Sequence, residues 1–102
     1  MASRADQFQA LVNQQPHNPL FRFSLAQALV SEGRPAEAIP HFEACVASKA
    51  DWMMPRILLG KLHLQLGRAA EAKPLLADAL RLAIEQEHED PERELRALLA
   101  EY

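Results

Sequence analysis

Gly33-Arg34-Pro35-Ala36-Glu37-Ala38-Ile39-Pro40 returns 34 residues later as Gly67-Arg68-Ala69-Ala70-Glu71-Ala72-Lys73-Pro74, with six of the eight positions identical. A fixed period of this length marks a protein made by copying one supersecondary unit and stacking the copies. Residues on both sides of each glycine carry apolar groups at helical spacing. Each unit therefore reads as helix, glycine turn, helix. Gly33 and Gly67 end the first helix of their units, because glycine adopts the left-handed closing conformation without a Cβ penalty. Turns this short force the two helices of a unit to run antiparallel.

Punctuation around the octets gives the helix limits. The first helix of the first unit covers 19–32, capped by Asn18, with Pro19 at the first helical position. The second opens at Pro35 and continues through Ala38, Ile39, Phe42, Cys45 and Val46. Asp51 is predicted to cap the third helix, which contains Ile57, Leu58, Leu62 and Leu66. The fourth runs from Ala69 to about Glu87, striped by Leu75, Leu76, Ala79, Leu80 and Ala83. Pro40 and Pro74 each remove one backbone donor early in a second helix, which implies a shared bend.

The flanks extend the same scheme. Phe8-x-Ala10-x-Val12 lies 34 residues before Phe42-x-Ala44-x-Val46, so a helix over about Arg4–Gln14 reads as the second helix of an earlier unit. At the other end, Asp90-Pro91 signals a helix start, and Leu95, Leu98, Leu99 and Tyr102 form an i, i+3, i+4, i+7 stripe. Such a terminal helix covers the last repeat with a polar outer face. The expected organisation is one domain over 1–102, with a half unit at 4–17, units at 19–50 and 53–84, and a capping helix at 91–102.

The unit resembles the tetratricopeptide repeat. Leu25-Ala26, Leu29, Gly33, Ala38, Phe42 and Cys45 take that repeat's roles in the first unit, and Leu59-Gly60, His63, Gly67, Ala72, Leu76 and Ala79 take them in the second. Small residues at these places let neighbouring backbones approach, and the large ones fill the space between. The resemblance implies an all-α fold of antiparallel helix-turn-helix repeats, stacked as a short right-handed solenoid of five to six helices. Arg22 and Arg56 depart from the pattern by standing where the family places its first aromatic, and His63 replaces a large aromatic or aliphatic group. The closing proline is missing after each full unit, although Pro16 fits it after the half unit.

Composition excludes several functions. A net charge of −3 gives no attraction to phosphate, so no nucleic-acid partner is expected. No apolar run approaches a membrane span, and Met1-Ala2-Ser3-Arg4-Ala5-Asp6-Gln7 lacks the apolar core of a signal peptide. The single Cys45 permits no internal disulfide and fits a reducing cytoplasm, as a buried and inert thiol. His17, His41, His63 and His88 show no metal-ligand spacing, so neither a metal nor a cofactor is expected, and His63 reads as a core-edge residue satisfied by a nearby group. Without a phosphate loop, a nucleophile elbow or a Cys-His context, no catalytic residue stands out and the protein is read as no enzyme.

The resemblance also implies a place for partner recognition, because first helices of successive repeats line a concave face in that family. Here the face would contain Leu20, Phe23, Gln27, Val30 and Ser31 from one unit and Met54, Ile57, Lys61, Leu64 and Gln65 from the other. The implied partner is a protein or peptide, or a second copy of the same protein as a homodimer. The same apolar residues also suit a core covered by the terminal helices. Trp52, Met53 and Met54 fit a hydrophobic plug or an adaptable binding surface. Arg34 and Arg68 would bond carbonyls at the preceding helix end or form an acid-recognising ladder. An alternative function is a structural adaptor without a groove, acting through the acids of 85–94; an enzyme or metal protein is the remote alternative.

Overall fold

Two helices start at a side-chain cap, and three end in a shared closing turn. The computed structural model describes residues 2–102, and Met1, the first residue of the expected domain, lies outside them. Six helices follow in order: α1 (Arg4–Gln14), α2 (Pro19–Ser31), α3 (Pro35–Ser48), α4 (Met53–Gln65), α5 (Ala69–Glu85) and α6 (Glu89–Ala100). Among the described residues there is no strand, and the fold class is all-α. No helix among them is long and apolar enough to cross a membrane.

Ser3 opens α1 with a capping box: its Oγ accepts from Asp6 N–H at 3.1 Å, and its own N–H donates to Asp6 Oδ2 at 3.3 Å. Asn18 Oδ1 accepts from Leu20 N–H at 3.0 Å at the start of α2, with Pro19 next in line as the sequence indicates. The start of α4 differs from expectation. Trp52 is the N-cap, which leaves Asp51 one residue too early for its carboxylate to cap the helix. The Asp51 carbonyl instead accepts from Gln86 Nε2 at 2.9 Å.

Three helices end in the same hydrogen-bonded turn. After α2, Gly33 N–H reaches Val30 O and Arg34 N–H reaches Leu29 O; after α4, Gly67 reaches Leu64 and Arg68 reaches His63. After α5, Glu87 N–H reaches Ile84 O and His88 N–H reaches Ala83 O. This paired pattern is the Schellman motif, and it requires a left-handed residue at its centre. Gly33 (φ 76°) and Gly67 (φ 75°) meet that demand freely, whereas Glu87 meets it at φ 58° with a side chain. The third turn starts the next helix early. His88 caps α6, and Pro91 falls inside its first turn, where its missing N–H has no intrahelical partner to lose. The capping helix therefore spans 89–100 rather than the expected 91–102.

The protein divides into two compact units, 1–50 and 51–102. In the first, α1 and α3 both pack on α2. Leu25, Ala26, Ala28 and Leu29 of α2 are buried, with Ala5 and Val12 of α1 and Ala38, Phe42 and Cys45 of α3. Phe23 meets Phe42 edge-on, with ring centroids 6.1 Å apart and planes at 70°. The carboxylate of Glu32, at the end of α2, accepts from Ala5 N–H at 2.9 Å, so α1 runs antiparallel to α2.

In the second unit, α5 packs on both α4 and α6. Met53, Ile57, Ala72, Leu76, Ala79, Leu82, Ala83 and Leu95 form its core, flanked by Leu64, Leu80, Leu98 and Leu99. Gly60 allows the closest crossing: a Cβ there would lie 2.6 Å from Leu76 Cδ2. Ala26, one period earlier, is fully buried and keeps its methyl in the unit whose corresponding large residue is Phe42. His63 is buried in α4, and its Nδ1 has no hydrogen-bond partner among the described residues, contrary to the expectation of a satisfied ring.

Candidate functional site

The recognition residues expected from the sequence separate according to burial. On α2, Leu20 is 62% exposed and Val30 37% exposed. Gln27 is also exposed, while Phe23 is half-buried because its ring rests on Phe42. These four positions recur at helical spacing and share one side of α2. Beside them α1 opens a cleft of about 250 Å³, lined by Arg4, Phe8, Ser24, Gln27, Ala28 and Ser31. Sequence reading places Gln27 and Ser31 on this face but uses Phe8 only as a repeat marker. The 34-residue match of Phe8 to Phe42 did carry the signal, since it makes α1 a neighbour of α2.

The corresponding residues of α4 are arranged differently. Ile57 is only 6% exposed and belongs to the core, and Leu64 packs against that core. Lys61 bonds its ammonium to Glu94 of α6. Met54 remains 43% exposed. The terminal helix thus supplies α4 with an ion pair and its core with leucines, while α2 keeps an open apolar surface.

Four of the six acids at 85–94 have a basic side chain within ion-pair distance. Glu85 pairs with Arg81 at 3.0 Å, Glu92 with Arg96 at 3.1 Å, Asp90 with Arg93 at 3.8 Å, and Glu94 with Lys61. Exposed pairs of this type stabilise by about 0.2–1 kcal/mol at most. Arg34 forks onto Glu37 through 2.7 and 2.8 Å bonds, and this hydrogen bonding holds the Glu37 carboxyl below the usual carboxylate range. Its side chain therefore points forward into α3; only its backbone N–H serves the preceding helix end.

Burial pushes the Cys45 thiol up to about 11, and its Sγ–H donates to Pro19 O at 3.5 Å. Among the described residues, no group of three or more His, Cys, Asp or Glu side chains could hold a metal ion.

Helix pairs of fixed period, closed by left-handed turns and joined through small residues, define a helical-repeat protein. A tetratricopeptide repeat family model matches residues 29–102, and a second tetratricopeptide repeat model matches residues 5–51. The protein belongs to the tetratricopeptide repeat family, whose members generally mediate protein–protein interaction and are typically non-enzymatic modules. No curated protein matches its sequence.

Proposed function

We infer that this protein is a non-enzymatic interaction module that binds a peptide or helix of another protein along α2. The observation that carries this reading is the open apolar side of α2, where Leu20 and Val30 flank Gln27 beside the α1 cleft. An amphipathic segment would gain affinity by covering the two aliphatic side chains, and Gln27, Ser24 and Ser31 would orient it by hydrogen bonds. Met54 offers a separate exposed apolar group on the second unit. Ile57, Lys61 and Leu64 serve the packing of α4 and α6 within that unit.

Pull-down from a lysate tests the reading when the wild type is compared with a Leu20→Asp/Val30→Asp variant. Both positions are exposed, so the variant keeps its fold and loses its partners. Identical partner sets from the two proteins would remove the α2 face from consideration. Light scattering on the same pair separates self-association from binding another protein: a dimer abolished by the substitutions identifies a second copy as the partner.

A further inference from the structure

The internal repeat permits a comparison at the place where both units depart from their family's pattern. Arg22 and Arg56 lie 34 residues apart at the same position of the first helix. In the second unit, Arg56 Nη1 donates to Asp78 Oδ2 at 3.3 Å, and the Arg56 side chain is only 13% exposed. The residue 34 positions before Asp78 is Ala44. The first unit therefore keeps the arginine and lacks its carboxylate.

That difference leaves space. Ala44 lines a pocket of about 250 Å³ together with Pro16, His17, Pro19, Arg22 and Ser48. Arg22 is held in place by neutral acceptors: its Nε donates to Pro16 O at 2.9 Å, and its Nη1 lies 3.2 Å from His41 Nδ1. Among the described residues no carboxylate pairs with Arg22 or lines the pocket. An arginine fork that is fixed, half-buried and without a counter-ion is preorganised for a planar anion. A half-buried charge also gains more from pairing than an exposed one.

We propose that the Arg22 pocket is a carboxylate-binding subsite, filled by an external carboxylate where Asp78 fills the equivalent place internally. It lies across α2 from Leu20, since two residues further on turn the helix by about 200°. The subsite is thus independent of the α2 recognition face. Its ligand carboxylate comes from an acidic side chain, the C-terminus of a peptide or a free small acid.

Nuclear magnetic resonance titration with sodium acetate, replacing chloride at constant ionic strength, tests the proposal. The Arg22 Nε–H and His41 ring resonances shift and saturate in the millimolar range in the wild type. Ala44→Asp installs the second unit's counter-ion, and Arg22→Gln removes the fork; each weakens the response at least about tenfold. Circular dichroism first establishes that both variants are folded, and the wild-type titration stands by itself if one is not. A non-saturating wild-type response, or the same curve in a folded Ala44→Asp variant, would overturn the proposal. So would inorganic phosphate saturating the site while acetate does not. Two short peptides, one with a free C-terminus and one amidated with a single internal aspartate, then distinguish the source of the carboxylate.

Discussion

Glu87 occupies, at the end of α5, the same left-handed backbone position that Gly33 occupies at the end of α2. Both residues close a Schellman turn with the same two hydrogen bonds. Only glycine does so without steric cost, and an L side chain there loses about 1–2 kcal/mol. Glu87→Gly is therefore expected to stabilise the protein by about 0.5–1 kcal/mol, part of the relief being offset by glycine's larger unfolded-state entropy. Urea unfolding checks this as a higher midpoint at unchanged slope.

Gly60→Ala is expected to act in the opposite direction. Alanine improves helix propensity by about 1 kcal/mol, but its methyl would meet Leu76 Cδ2 and Cγ at 2.6 and 2.7 Å. Leu76 is fully buried and cannot swing away, and overpacking costs about 1–3 kcal/mol. The net expectation is a loss of about 1 kcal/mol, read from thermal or urea unfolding.

His63→Leu should stabilise. The buried Nδ1 lacks a hydrogen-bond partner among the described residues, and such a group costs about 1–3 kcal/mol. The first unit places Leu29 at the same repeat position and buries it. A gain of about 1 kcal/mol in urea unfolding is the expected result.

Glu32→Ala should loosen α1 locally. Its carboxylate satisfies Ala5 N–H at the positive end of that helix. Loss of the cap is expected to cost about 1 kcal/mol. Hydrogen exchange at Ala5 and the next amides should accelerate several-fold, while amides of α5 remain unchanged.

His41 should make the protein sensitive to mild acid. Burial, and secondarily the charge of Arg22, hold its ring below the ordinary histidine value of 6.5. Well above pH 6.5 the ring is neutral in both the folded and the unfolded state and contributes no pH dependence. As pH falls through 6.5, the unfolded state binds the proton first, so stability declines toward the lower folded value. A His41→Gln variant should show a flatter stability profile over the same window, as measured by urea unfolding at successive pH values.

The helices, their glycine turns and the antiparallel pairing were legible because they depend on local chemistry. Asn18-Pro19 at a helix start and Gly33 at a helix end act within a few residues of backbone. Phe8, Ala10 and Val12 even disclosed the extra helix by their period. The end of α5 near Glu87 was legible; the left-handed backbone at Glu87 was not, because its residue type argues against that conformation. Asp51 looked like a cap for a similar reason, since one residue of displacement, set by Trp52 and Met53, moved the helix start beyond its reach.

Sequence alone thus determined the repeat, the all-α class, the helix pairs and the side of each first helix that bears Leu20, Gln27, Met54 and Lys61. Tertiary structure decided which of these residues stay exposed. Leu20 and Val30 remain exposed beside the α1 cleft, whereas Ile57 and Leu64 enter a core completed by α6. It also decided that Arg56 finds a carboxylate and Arg22 does not. Helical periodicity is written in a short window of residues, but exposure and charge pairing depend on which distant side chains arrive alongside, and no local pattern encodes that.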